Sequence, residues 1–229
     1  MVSGLRPGLV WPCRAYLALV VFSLVGSALV RAGFEEPVWV ARLCGLGVTV
    51  FGAWAVIASL RPNGPVLAAG AVSLAVGSGS EVVGLLTGFP FGRYEYTDAW
   101  WPVGMVAGSR PFPLQLPFAW LMLSWAAVLV ARRWVMGWAA VALGGLLAAL
   151  ADLAMEPTTV HSLGYWRWLD GGPLPGGVPL ANFFGWWIVA GLAGAMLLWA
   201  RPDPEARPEP VIVLVGHTVF MVLLGLVRG

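Results

Sequence analysis

The stretch WVMGWAAVALGGLLAALADLAM, residues 134–155, decides the fold class: it carries one charged residue, Asp152, close to its end. Crossing the hydrocarbon core of a bilayer takes about 20 predominantly apolar residues, with roughly 17–25 as the working range. The run is bounded by Arg132-Arg133 before it and by Glu156-Pro157 after it. Six further runs of the same kind lie outward from it, at about 15–31, 38–60, 65–86, 114–131, 179–200 and 211–227. Helix breakers separate them: Arg61-Pro62-Asn63-Gly64-Pro65 between the second and third runs, and Arg201-Pro202-Asp203-Pro204, running on to Pro210, between the sixth and seventh. In lipid, segments of this length satisfy their backbone only as helices. The sequence therefore predicts an all-α polytopic membrane helix bundle of about seven transmembrane helices, as a single integral-membrane domain over 1–229. Arg6 and Arg14 ahead of the first run resemble the charged end of a signal peptide. Ala28-Leu29-Val30 is a poor cleavage site, however, and six more spans follow, so the first helix is expected to be retained.

Composition points the same way. Of the 229 residues, 59% are hydrophobic and 10% charged, against about 45–50% and about 25% in soluble domains. That apolar excess is too large to hide in one soluble core of this size. A net charge of +2 offers no basic surface, so no nucleic-acid partner is expected. All 13 basic residues are Arg, which excludes a retinal Schiff base and any other Lys-anchored cofactor. Cys13 and Cys44 have no CxxC spacing, and His161 and His217 lie far apart, so neither a disulfide framework nor a metal site is indicated.

Orientation is encoded by a small arginine bias. With the N-terminus inside, Arg6, Arg14, Arg61, Arg132, Arg133, Arg201 and Arg207 are cytoplasmic, against Arg31, Arg93, Arg110, Arg167 and Arg228 outside. Sidedness is more informative. Alternating spans put Glu35, Glu36, Glu81, Glu95, Asp98, Asp152, Glu156 and Asp170 on one face, and only Asp203, Glu205 and Glu209 on the other. Tyr94, Tyr96, Tyr165, Trp100-Trp101, Trp166 and Trp168 share the first face. The asymmetry holds whichever way the chain is inserted, and it marks one polar, aromatic-lined site at one membrane boundary.

Each candidate residue also has a plainer reading. Glu81 lies about 8 Å below the end of its span at 1.5 Å per residue. A carboxyl group there faces a cavity or a partner; the candidate partner is Arg42, about 6 Å below the same face. Asp152 and Glu156 are four apart and share a helix face if the helix persists. Pro157 biases Glu156 out of it, toward a solvated helix end. Asn182 opens the sixth span as a helix cap or as an amide that orients water or a carboxyl group. Gly84 and Gly88 read as a small-xxx-small pair for close helix packing. His217, about 9 Å from the opposite face, reads as an interhelical hydrogen bond. Its depth differs from that of Ser78 by roughly 10 Å, which argues against a serine–histidine pair. His161 reads as a solvated loop residue. Tryptophan and tyrosine belts form at membrane interfaces whatever the function, but belts need neither Gly-Pro turns nor neighbouring buried acids.

Three ordered blocks carry a family resemblance. The first is Glu81-Val82-Val83-Gly84-Leu85-Leu86-Thr87-Gly88-Phe89-Pro90-Phe91-Gly92-Arg93-Tyr94-Glu95-Tyr96-Thr97. The second is Ala151-Asp152-Leu153-Ala154-Met155-Glu156-Pro157. The third joins Trp166-Arg167-Trp168 to Gly177-Val178-Pro179-Leu180-Ala181-Asn182-Phe183-Phe184-Gly185-Trp186. Together they resemble the signature of the membrane-integral carotenoid biosynthesis proteins that act as carotenoid 1,2-hydratases, the bisanhydrobacterioruberin hydratases among them. The resemblance covers about 81–187, and the flanking helices agree by hydropathy. It departs at Pro173-Leu174-Pro175-Gly176, where an aromatic residue is common in relatives, and this bears on the shape of the substrate mouth. The resemblance implies a cofactor-independent hydro-lyase that adds water to the terminal C1–C2 double bond of an acyclic carotenoid end group, of lycopene, γ-carotene or bisanhydrobacterioruberin type, giving a tertiary alcohol. The implied partners are the carotenoid, water, the lipid bilayer of a bacterial or archaeal cell and other carotenoid-pathway enzymes.

The residue types suit that chemistry. Hydration needs a proton donor, a briefly held tertiary cation and a water, with no cofactor and no metal. A carboxyl group in an apolar site keeps its proton, because desolvation disfavours the charged form. The expected acid is Asp152 or Glu81, with the other and Glu156 organising water and Asn182 orienting. Tyr94, Trp166 and Trp168 are expected to line the cation site, a contact worth ~2 kcal/mol or more when desolvated. Phe91, Tyr96 and Trp186 complete the expected substrate-binding wall. A polyene lying in the hydrocarbon core, about 30 Å thick, would reach water at the boundary with its end group. Two other readings use the same residues: a membrane carotenoid end-group cyclase, and a non-enzymatic lipid- or pigment-binding membrane protein.

Overall fold

The computed structural model describes residues 8–106, 108–202 and 207–228. Arg6, Asp203 and Glu205, used above for orientation and sidedness, lie outside the described residues. Seven α-helices follow in order: α1 (Trp11–Arg31), α2 (Val38–Ser59), α3 (Gly64–Thr87), α4 (Leu116–Ala131), α5 (Gly137–Pro157), α6 (Leu180–Ala200) and α7 (Glu209–Arg228). Prolines in the first turn start α1, α3 and α4, where the missing N–H costs nothing. The Asn63 side chain caps α3 by accepting from the Val66 N–H at 3.0 Å. Gly88 ends that helix at φ +79°, a left-handed conformation that glycine adopts without strain.

Six of the seven helices are long and apolar enough to cross a membrane; α4 falls short. The sequence marked about 114–131 as a candidate span; the helix begins after Gln115 and has 16 residues, or about 24 Å of rise. Its apolar composition also has a cause inside the protein. Helix α4 packs against α2, α3, α5, α6 and α7 at the centre of the bundle, and most of its residues are buried. A helix that is hydrophobic all round is a buried one. The outer helices turn large apolar groups outward instead, Trp39, Trp138 and Trp199 among them. Such groups suit a lipid surface and its interfaces.

Small residues bring the central helices close. A Cβ placed on Gly145 of α5 would lie 2.3 Å from the Trp187 carbonyl oxygen of α6, and one on Gly144 would lie 2.6 Å from Val128 Cα of α4. On α6, a Cβ at Gly194 would lie 2.4 Å from Val128 Cγ2. Backbones at this separation place Asp152, two turns beyond Gly145, within reach of the first turn of α6.

The two long connections cap one end of the bundle. Strand β1 (Tyr94–Tyr96) pairs antiparallel with β4 (Trp166–Trp168), and β2 (Val103–Val106) pairs antiparallel with β3 (Arg110–Pro113). In the β1–β4 ribbon Tyr94 faces Trp168, Glu95 faces Arg167 and Tyr96 faces Trp166. The two-residue period turns the tyrosines inward and sends Glu95 and Arg167 outward, where they form an ion pair. Arg93 and Asp170 extend this outer row at 2.5 Å. Both pairs are exposed and add about 0–1 kcal/mol each, so they set register more than stability.

Helix α5 does not stop before Pro157. It includes the proline and continues into a π-helical turn, Thr158–Ser162. The Thr158 hydroxyl ties that turn to the Met221 carbonyl of α7 at 2.8 Å, and the Thr159 hydroxyl donates back to the Met155 and Glu156 carbonyls. These bonds hold the helical path through a residue that would otherwise break it. Glu156 therefore stays on the helix and is 1% exposed, so it is not a solvated helix end.

Candidate functional site

Three acids from two helices meet beneath the β1–β4 ribbon. Glu81 projects from α3, and Asp152 and Glu156 project one turn apart from α5; all three are buried. Asn182 in the first turn of α6 joins the two acids of α5. Its Nδ2 donates to Asp152 Oδ2 at 2.8 Å and to Glu156 Oε1 at 3.1 Å. Its side chain therefore does not cap α6, whose N-cap is Pro179. Trp168 Nε1 donates to the other oxygen of Glu156 at 3.2 Å.

Glu81 is surrounded by donors. The Tyr94 and Tyr96 hydroxyls donate to Oε2 at 2.5 and 2.9 Å, and Trp120 Nε1 donates to Oε1 at 2.9 Å. The expected ion pair with Arg42 is not present: among the described residues, no salt bridge joins them, and Arg42 lines a neighbouring cavity instead. Asp152 Oδ1 differs from every other oxygen of the triad in carrying no hydrogen bond among the described residues.

Tyr94 and Tyr96 lie in the ribbon outside the spans. Burial, and secondarily the Glu81 carboxylate beside them, pushes both phenols well above the ordinary tyrosine range. They therefore remain neutral donors in alkaline solution. Tyrosinate absorbance at about pH 10, where an ordinary phenol is half ionised, is expected to be the same for the unmodified chain and for Tyr94→Phe/Tyr96→Phe. A lower signal in the double variant would contradict this placement.

The acids border two spaces of different size. A small chamber of about 40 Å³ is lined by Glu81, Phe91, Tyr94, Tyr96, Asp152, Glu156, Trp166, Trp168, Asn182 and Trp186, together with Trp100 and Leu116. Every residue that the sequence marked for the site thus reaches one chamber. Its volume admits a water molecule. A larger cavity of about 400 Å³ adjoins it and shares Trp100, Leu116, Asp152, Trp166 and Trp186 as a common wall. Glu36, Asp98, Arg42 and Arg228 line its polar part, and Val48, Met122, Met155, Phe220 and Leu224 its apolar part. Of the three buried acids, Asp152 alone lines both spaces.

The remaining sequence candidates fall elsewhere. Ser78 turns its hydroxyl back to the Leu74 carbonyl at 2.7 Å, which leaves no serine–histidine pair. His217 lines the large cavity between the rings of Tyr16 and Phe220. Its buried Nδ1 makes no hydrogen bond among the described residues, so the expected interhelical bond is not there. Gly84 packs against Phe91 and Tyr94 rather than against a neighbouring helix. The departure at Pro173-Leu174-Pro175-Gly176 lines neither space.

Two site residues escaped the sequence reading. Trp120 donates to Glu81 and stacks on Trp186 with ring centroids 4.0 Å apart. It sits in an apolar helix with no local signal to distinguish it from a lipid-facing tryptophan. Trp100 stacks on Tyr165 at 5.2 Å and packs against Tyr96 and Trp166. The pair Trp100-Trp101 had marked the correct face but not the lining role.

A family model described as carotenoid biosynthesis protein matches residues 39–228. No curated protein and no solved structure matches the chain. The match runs from α2 through α7, well beyond the blocks at 81–187, and takes in every residue that lines the small chamber. With its bundle of apolar helices and its buried acids at one boundary, this chain belongs to the carotenoid biosynthesis protein family.

Proposed function

We propose that the chain hydrates the terminal C1–C2 double bond of an acyclic carotenoid end group, with Asp152 as the general acid. The observation that carries this reading is the place of Asp152, the one buried acid of the triad that borders both the chamber and the cavity. The large cavity is of a size and lining to take a hydrocarbon end group, and the small one has polar walls and room for water.

The steps balance as a net addition of water. The proton on Asp152 Oδ1 passes to C2, and the π-electron pair forms the new C–H bond. C1 becomes a tertiary cation flanked by Trp166, Trp186 and Trp100, whose ring faces stabilise positive charge. Water held against Glu81 and Glu156 attacks C1, and its surplus proton passes to Glu156. Asn182 donates to both Glu156 and Asp152 and holds them side by side; the proton returns from Glu156 to Asp152 through water in the chamber that both acids line, and the site is restored. Both amide hydrogens of Asn182 are committed to carboxyl oxygens, which fixes the orientation of both acids.

A cyclase would use the same protonation but would lose a proton from carbon after ring closure, and would gain nothing from a water-sized polar chamber. The chamber therefore favours hydration. Co-expression in a bacterium that makes lycopene or γ-carotene, followed by mass analysis of the pigments, tests the reading. The expected product is heavier by one water and carries a tertiary alcohol at the acyclic end. An isomer of unchanged mass with a new ring would replace hydration by cyclisation, and unchanged pigment with the protein in the membrane would overturn both for these substrates.

A further inference from the structure

Glu81 lies between two notches on its own helix face. Gly77 precedes it by four residues and Gly84 follows it by three, so all three share one buried face of α3. A Cβ at Gly77 would come 2.5 Å from both Cβ and Cγ of Trp120. A Cβ at Gly84 would come 2.7 Å from the Tyr94 hydroxyl oxygen and 3.0 Å from Phe91 Cδ2. The two rings that fill these notches are the ones whose N–H and O–H reach the Glu81 carboxylate, at 2.9 and 2.5 Å. Neither glycine has a positive φ, so the backbone path does not require glycine, and local propensity inside a helix disfavours it. A local choice that works against its own helix points to a demand made elsewhere.

We propose that Gly77 and Gly84 are positioning residues for Glu81: the missing side chain at each seats a donor, Trp120 below and Tyr94 above, and the two donors fix the carboxylate oxygens. Gly77 does this by admitting the root of the Trp120 side chain, and Gly84 by admitting the tip of the Tyr94 ring. Trp120 is also stacked on Trp186, which lines both spaces, so the Gly77 notch sets a wall of the site as well as a donor. This inference rests on the reading that Glu81 handles water in hydration, but its test does not depend on turnover alone.

The decisive variant is Gly84→Ala, because the new methyl group meets mainly the movable tip of a ring. A double-mutant cycle with Tyr94→Phe separates positioning from packing. Each single variant is expected to slow hydration about tenfold or more, the effect of losing one hydrogen bond to a carboxylate. Gly84→Ala added to Tyr94→Phe is expected to slow it no further, since no hydroxyl remains to displace. The infrared carboxyl band of Glu81, assigned by its loss in Glu81→Gln, is expected to shift equally in the two single variants and the double one. A parallel cycle of Gly77→Ala against Trp120→Gly, which removes the Cβ as well as the ring, is expected to be non-additive in the same band. Multiplicative losses of rate, additive shifts of the band, or a Gly84→Ala band identical to that of the unmodified chain would overturn the proposal. If the unmodified chain hydrates no carotenoid, the proposed function fails, while the infrared cycles still decide whether the notches position Glu81.

Discussion

Asp152→Asn is expected to abolish hydration while the chain still inserts and folds. The amide is isosteric and can turn its oxygen to Asn182, keeping the bond that now runs from Nδ2 to Asp152 Oδ2 at 2.8 Å. Its NH₂ group then faces the cavity in place of Oδ1 and has no proton acidic enough to transfer to carbon. General acid catalysis is typically worth about 10²–10⁴-fold, so product is expected to fall by at least about a hundredfold at equal membrane content. Pigment analysis with an immunoblot of the membrane fraction measures both quantities. Glu81→Gln and Glu156→Gln are expected to leave more activity, because they alter the water side of the chamber and leave the donor in place. Full activity in Asp152→Asn would move the acid to another residue.

The second large effect is expected at Asn182. Among the described residues it is the only donor to Asp152, and it donates to Glu156 beside Trp168. Asn182→Leu keeps the number of side-chain heavy atoms but leaves two buried carboxyl oxygens without that donor, at a cost of about 1–3 kcal/mol for each unsatisfied group. Asn182→Asp is worse at neutral pH, because it sets a third acceptor against two others in a buried space. Both variants are expected to lose hydration and to unfold in detergent at lower temperature than the unmodified chain. They differ on acidification: the new carboxyl group of Asn182→Asp gains a proton that it can donate, and part of the activity returns, whereas Asn182→Leu stays inactive. Equal pH profiles for the two would mean that the amide does not act as a donor bridge.

Much of this architecture was legible because its signals are long. A run such as 134–155 has one stable form in lipid, and the breakers between runs fix the connections to within a few residues. The clustering of acids on one face followed from counting spans, and it held for the described residues. Short signals failed. The ribbon strands are three residues each, Tyr94–Tyr96 and Trp166–Trp168, and their alternation is too brief to stand out beside membrane helices. Pro157 suggested a helix end, but hydroxyl groups from Thr158 and Thr159 carry the chain through it, and such long-range support is not written locally. Asn182 sits where a cap is common, yet its partners come from α5, and the close approach of α5 to α6 at Gly145 brings them within reach. Helix α4 read like any other span because burial in protein and burial in lipid select the same residues, so its place at the centre of the bundle was not legible. Trp120 was invisible for the same reason. Its importance lies in where its N–H points, and that depends on the notch at Gly77.

The central claim is that Asp152 delivers the proton and that a water in the adjoining chamber completes the alcohol. The most direct test uses the purified chain in lipid nanodiscs with an acyclic carotenoid, in deuterated water enriched in heavy oxygen, and reads the product by mass spectrometry. The account predicts one heavy oxygen at the tertiary carbon and one deuteron at the neighbouring carbon, with neither in Asp152→Asn. A ring-closed isomer of unchanged formula, or full labelling by Asp152→Asn, would contradict it.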